Sequence, residues 1–102
     1  MRNFERFARV YEIDIKEVKR KITKKTKAIL PVDLYGNPCD ISELRQIADK
    51  YKIYLIEDAA QAHGSKYNGK VVGNFGDLSI FSFYIAHNVQ AGELGIVNTD
   101  NL

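Results

Sequence analysis

Residues 57–64, Glu57-Asp58-Ala59-Ala60-Gln61-Ala62-His63-Gly64, gather a carboxylate, an amide and an imidazole into one short span. Asp58, with Gln61 and His63 about one turn on and small alanines between them, would form a floor under a flat polar ligand. The span follows Ile53-Tyr54-Leu55-Ile56, an apolar run rich in β-branched and aromatic residues, which reads as a buried strand. Asp58 then falls at the carboxyl end of that strand, where ligands of open α/β sheets collect. A plainer reading stands beside this one. Aspartate is a favoured N-cap, and Asp58 would then simply cap a following helix.

The elements that must position these groups can be read from periodicity. Asp14-Ile15-Lys16-Glu17 has the form of a capping box, and Ile15, Val18 and Ile22 mark one face of a short helix ending near Thr23. Lys27 to Val32 reads as a first strand, and Tyr35-Gly36-Asn37-Pro38 as a turn. Asp40 caps a second helix with Glu43 completing its box, and Ile41, Leu44, Ile47, Ala48 and Tyr51 lie along one face. The strand at 53–57 follows after a very short loop. Strand, helix, strand is a βαβ unit, so its two strands should be parallel neighbours.

Further on, Asn68-Gly69 between β-formers predicts a hairpin over Ser65–Val72. Gly73–Asp77 reads as a loop, and Leu78–Tyr84 as a strand buried on both faces by its composition. His87–Glu93 is irregular and partly polar, and Gly95–Asn98 reads as a last strand. Residues 1–12 fit neither period.

Composition narrows the class. With 102 residues, 45% apolar and 27% charged, the chain reads as one globular domain or a piece of one. A formal charge of +2 with no long basic block argues against a nucleic-acid partner. The single cysteine, Cys39, excludes an internal disulfide and fits a reducing cytosol. No run reaches the ~18 apolar residues of a membrane span, and the first residues have no apolar signal core. A cytoplasmic protein without a membrane partner or a metal is expected.

With residues 57–64 and 78–95 placed, the chain resembles the DegT/DnrJ/StrS family of sugar aminotransferases, from about Tyr11 to Asn101. The resemblance rests on Lys25-Thr26-Lys27-Ala28-Ile29, Asp33-Leu34-Tyr35-Gly36, Glu57 to Gly64, and Gly76-Asp77 through Phe81-Ser82-Phe83-Tyr84, in that order and spacing. It implies a fold-type-I enzyme that uses pyridoxal 5'-phosphate or pyridoxamine 5'-phosphate. It further implies that Asp58 pairs with the protonated ring nitrogen of the cofactor, that Gln61 lies near its ring oxygen, and that Ser82 donates to its phosphate. For His63 the expectation is a packed, hydrogen-bonded histidine. A nucleotide-sugar substrate and a homodimer are implied as well.

Position 87 departs from the pattern. Most members carry the Schiff-base lysine there, in Phe-Ser-Phe-x-x-x-Lys, whereas this chain reads Phe81-Ser82-Phe83-Tyr84-Ile85-Ala86-His87. The resemblance then points to the branch with histidine at this place, the pyridoxamine-phosphate-dependent 3-dehydratases of 4-keto-6-deoxy nucleotide sugars. His87 would be the catalytic base there. Leu94 stands where the family has glycine, and Ile85 where it has proline.

Family members are far longer. The chain is therefore expected to be an α/β fragment of a fold-type-I aminotransferase large domain, a mixed, mostly parallel sheet with flanking helices. On this reading residues 1–102 are a single partial domain with no C-terminal small domain and no early phosphate loop. The alternative is a non-catalytic remnant of a split or truncated gene. An unrelated flavodoxin-like domain is disfavoured, because no glycine-rich loop follows either early strand.

Overall fold

The computed structural model describes residues 12–87 and 89–100. The unassigned stretch 1–12 lies outside this range except for Glu12, and so does Asn88. The first helix, α1 (Ile15–Lys21), opens on Asp14, whose side chain accepts from the Lys16 and Glu17 N–H groups. Glu17 itself turns to Arg20 (Oε2–Nη2 2.6 Å), so only half of the predicted box forms. The second helix, α2 (Ile41–Tyr51), is capped by Asp40 and ends where Lys52 adopts a left-handed conformation, φ 54°. Its buried stripe is Ile41, Leu44, Ile47 and Ala48. Tyr51, expected on that face, is 44% exposed, because it lies in the last turn beyond the sheet's cover.

The main sheet runs β1 (Ala28–Ile29), β2 (Tyr54–Asp58), β5 (Leu78–Ser82), β6 (Gly95–Asn98). The first three are mutually parallel and β6 is antiparallel to β5. This is the mixed, mostly parallel sheet that the sequence implied, and α2 supplies the crossover from β1 to β2. The first strand is shorter than the predicted 27–32. Pro31 has no N–H to give a ladder, and pairing resumes only as a single bridge, Val32 to Asp58. A separate hairpin, β3 (Lys66–Tyr67) with β4 (Lys70–Val71), turns on Asn68 and Gly69, both at positive φ (49° and 81°). That is the turn such a dipeptide favours.

One face of the sheet is packed. Ile29 and Leu55 meet Cys39, Ile41, Leu44, Ile47 and Ala48 in the main core, with Val18, Ile22 and Phe75 against it. A smaller cluster joins Ala59, Ala62 and Val72 to Phe81. By strand alternation, Leu55, Glu57, Ser79 and Phe81 share this face, and Ile56, Asp58, Leu78, Ile80 and Ser82 share the other. The expectation that Leu78–Tyr84 is buried on both faces therefore fails. The strand ends at Ser82, only Ser79 in it is fully buried, and Tyr84 is 48% exposed. The second face has no helix over it among the described residues.

Gly76 is required by close packing. A Cβ there would stand 2.7 Å from the carbonyl oxygens of both Leu55 and Leu78. Those atoms belong to the backbone where β2 and β5 meet and cannot swing aside. Gly76→Ala is expected to destabilise the fold by about 1–3 kcal/mol or more, the cost of overpacking a close-packed site. A urea denaturation midpoint equal to that of the parent chain would contradict this.

Candidate functional site at the carboxyl edge of the sheet

The backbone of Asp58 is clamped on both sides. Its N–H donates to Pro31 O (3.0 Å), its carbonyl accepts from Asp33 N–H (3.0 Å), and Ala59 N–H reaches Ile80 O (2.9 Å). Its side-chain Oδ1 accepts from the Ala60 N–H at 3.1 Å. The residues that follow form turns and no helix. The N-cap reading of Asp58 is thus replaced by a local aspartate turn. Among the described residues no hydrogen-bond partner reaches its other oxygen.

Gln61 is held by the loop after β1. Its Oε1 accepts the Tyr35 N–H at 3.0 Å, with Tyr35 itself in a left-handed conformation at φ 55°. Ser65 Oγ ties the same two loops together by donating to Gly36 O at 2.9 Å. Asp33 supports this loop from beneath, buried and accepting from the Cys39 N–H at 3.0 Å. Burial pulls the Asp33 carboxyl above the ordinary carboxylate value. Burial also pushes the Cys39 thiol up to about 12, so this cysteine is an inert packing residue.

Ser82 and His87 are brought into direct contact. His87 Nδ1 lies 2.6 Å from Ser82 Oγ, which also accepts from the Tyr84 N–H at 3.3 Å. The His87 N–H donates to Tyr84 O (2.9 Å), and the Tyr84 ring meets the imidazole edge-on, centroids 5.9 Å apart. The segment is anchored where Phe83 N–H reaches Leu94 O and Ala91 N–H reaches Phe83 O. Tyr35, Gln61, Ala86 and His87 line a cavity of about 250 Å³. This is smaller than the ~300–1,000 Å³ usual for a complete ligand pocket, as befits one wall of a site. A larger cavity, about 660 Å³, lies at the opposite end of the sheet between Lys24, Lys27, Lys52 and Tyr54.

The structure thus unites Ser82 with His87, sets Gln61 across the cavity from His87, and puts Asp58 on the sheet face that carries Ser82. No hydrogen bond joins Asp58 to the other three. His63 goes elsewhere. Its ring packs between Phe81 (centroids 5.4 Å) and Phe83 (5.1 Å), and neither nitrogen finds a partner among the described residues. The packing half of its expected role is present and the hydrogen-bonding half is not.

Two functional features escaped the sequence reading. Tyr35 was legible as part of a turn, but nothing signalled that its backbone N–H would hold Gln61. Glu57 carried no assigned role, yet it is almost wholly buried. Its carboxylate accepts from the N–H groups of Gly73 (2.7 Å), Phe75 (2.6 Å) and Gly76. Asp77 adds a second tie, accepting from Leu55 N–H (2.8 Å) and Arg45 (3.0 Å). Burial raises the Asp77 carboxyl, but these two donors outweigh it and hold it below the ordinary carboxylate value.

Comparison with known proteins supplies the context. Residues 7–102 match the DegT/DnrJ/EryC1/StrS aminotransferase family. GDP-perosamine synthase of Vibrio cholerae is 50% identical over 86 residues, 84% of this chain and 23% of that protein. The aminotransferase from Psychrobacter cryohalolentis superposes with a TM-score of 0.84 at 40% identity, covering 88% of this chain and 23% of that one. An Escherichia coli GDP-4-keto-6-deoxy-D-mannose-3-dehydratase, solved with bound hydrated PLP, superposes at 0.79 with 38% identity over 88% of this chain and 23% of its own. The chain spans about a quarter of the length of the relatives it matches.

Proposed function

Because this chain belongs to the DegT/DnrJ/EryC1/StrS aminotransferase family, we propose that it forms the cofactor-facing edge of a large domain acting on nucleotide-activated keto sugars, in the biosynthesis of polysaccharides or deoxysugars. The residues present fit pyridoxal or pyridoxamine phosphate. Asp58 has one carboxylate oxygen on the Ala60 N–H and no partner for the other among the described residues, on the same sheet face as the Ser82 hydroxyl. An acid so placed suits a protonated pyridine nitrogen, and a hydroxyl suits a phosphate. Bound there, the cofactor supplies an electron sink that stabilises negative charge on a substrate carbon.

The chain's own groups do the rest. Asp58 would keep the ring nitrogen charged, Ser82 would donate a hydrogen bond to the phosphate, and Gln61 would present its amide to the ring oxygen. Gln61 keeps its position because Tyr35 holds its Oε1. His87 moves the proton. An imidazole is the side chain most often used to accept and return protons in catalysis. It has no primary amine, so it cannot play the part of a lysine at this position. We assign the chain to the 3-dehydratase branch on this ground, with a homodimer as the working assembly. The observation that carries the reading is the 2.6 Å contact between His87 Nδ1 and Ser82 Oγ at the carboxyl edge.

The test is made in a polypeptide of family length that contains this segment. With pyridoxamine phosphate and a 4-keto-6-deoxy nucleotide sugar, the His87 form is expected to catalyse loss of the 3-hydroxyl. His87→Asn, which removes the base at similar size, is expected to lower that rate about 10²–10⁴-fold, the span of general acid–base catalysis. Transamination with glutamate by the His87 form, at a rate no lower than that of a lysine variant, would overturn the assignment.

A further inference from the structure

The Ser82–His87 contact does more than hold a side chain in place. We propose that Ser82 selects which nitrogen of His87 is basic, and that an anion accepting a hydrogen bond from the Ser82 hydroxyl sets the choice. The proposal rests on the reading of Ser82 as a phosphate donor and adds a relay to it.

A neutral imidazole has one N–H and one lone pair, and the partner of one nitrogen decides which is which. A serine hydroxyl has a single proton and two acceptor positions. At 2.6 Å, Ser82 Oγ and His87 Nδ1 must share one proton between them, from one side or the other. The Tyr84 N–H already fills one acceptor position on Oγ. With no anion present, Ser82 can give its proton to Nδ1. The ring proton then sits on Nε2, which is a donor and no base.

When a phosphate oxygen accepts a hydrogen bond from the Ser82 hydroxyl, the balance inverts. Oγ has no proton left for Nδ1 and must accept one, so the imidazole is held as the Nδ1–H tautomer. Nε2 then carries the lone pair. Ser82 is saturated in this state, with one hydrogen bond given and two accepted, from Tyr84 N–H and His87 Nδ1–H. The ring cannot evade the exchange by turning away, because the His87 backbone is tied to Tyr84 O and the Tyr84 ring packs against it. With Nδ1 committed, Nε2 is the nitrogen left for a ligand in the cavity that His87 lines. Ser82 is therefore a positioning residue as well as an anion donor, and binding of the anion prepares the base.

The experiment uses the full chain labelled with ¹⁵N-histidine, above the pH at which the imidazole is protonated. The His87→Asn spectrum assigns the two rings. In the parent chain without ligand, His87 is expected mainly as the Nε2–H form. Added pyridoxamine phosphate is expected to shift the tautomer ratio toward Nδ1–H by about tenfold. Ser82→Ala should lose this response, and Ser82→Thr, which keeps the hydroxyl, should retain it. Identical His87 nitrogen shifts in ligand-free parent and Ser82→Ala chains would overturn the relay. So would a folded Ser82→Thr chain that binds but does not respond.

The two readings fail separately. If pyridoxamine phosphate moves the Ser82 amide resonance but leaves the tautomer ratio unchanged, the phosphate reading stands and the relay falls. If Ser82→Ala changes ligand-free His87 but saturating pyridoxamine phosphate leaves Ser82 and His87 unmoved, the phosphate reading of Ser82 falls and takes the anion-set choice with it.

Discussion

His87→Lys, in a polypeptide of family length that contains this segment, is expected to give a borohydride-stable adduct with pyridoxal phosphate at position 87, where the His87 form gives none. The physical basis is the nitrogen. A primary amine condenses with an aldehyde and the product is reduced to a stable secondary amine, whereas an imidazole nitrogen has no second hydrogen to lose. Position 87 lines the cavity with Gln61 and stands 2.6 Å from Ser82, so a side chain there is within reach of whatever Ser82 and Gln61 hold. Peptide mass spectrometry after reduction is the readout, because the surface lysines provide a background that must be separated by position. The expected contrast is nearly stoichiometric labelling of the variant at 87 against background in the parent. Equal labelling of position 87 and of an exposed lysine such as Lys66 would mean that the cofactor is not held at this edge.

The second large effect concerns stability. Glu57→Ala is expected to cost about 3–5 kcal/mol, because it leaves three buried backbone N–H donors without an acceptor, each worth about 1–3 kcal/mol when unsatisfied. Three backbone N–H groups, from Gly73, Phe75 and Gly76, converge on this one carboxylate, and its burial keeps water from replacing it. Hydrogen bonds to a charged acceptor contribute ~1.5–3 kcal/mol each, more than neutral ones. Glu57→Gln keeps the shape but faces at least one N–H with an amide donor, so it should lie between parent and alanine. Denaturant unfolding measures the order. A chain of this size has only ~5–15 kcal/mol of total stability, so the alanine form should be largely unfolded at moderate urea. If Glu57→Ala unfolds within about 0.5 kcal/mol of the parent, the carboxylate is not the centre of this loop.

The βαβ unit was readable because its signals agree at every level. Asp40 caps, Ile41, Leu44, Ile47 and Ala48 repeat at helical spacing, and Leu55 and Ile29 are apolar at the facing positions. Asn68-Gly69 gave the hairpin for the same reason, since backbone chemistry alone demands that turn.

What escaped was set by tertiary contacts that no local pattern encodes. Glu57 looks like a polar residue at a strand end, and only the loop 73–76 folding back makes it a buried acceptor. Pro31 shortened β1 because its missing N–H interrupts the ladder despite the apolar residues on either side. The double-sided burial expected for β5 came from its composition, but composition cannot say whether a second layer covers it. At the site, the pairing of Ser82 with His87 was invisible. Their spacing of five residues matches no regular period, and the irregular turn at 84–87 brings them together.

The chain connectivity also orders events in time. β1, α2 and β2 are consecutive, and α2 with its neighbours can collapse on Leu44 and Leu55 before anything downstream is placed. The carboxylates of Glu57 and Asp77 are expected to act later, because the 73–77 loop can dock on them only once β2, which carries Glu57 and Leu55, is in place in the sheet. Contacts made early govern the folding rate, and those made after the transition state govern how fast the structure comes apart. Removing the Leu44 side chain should therefore slow refolding, while Glu57 substitutions should leave refolding nearly intact and hasten unfolding. The acid staple at the heart of the sheet is thus a latch on the finished molecule, and the lifetime of the carboxyl-edge site is the lifetime of that latch.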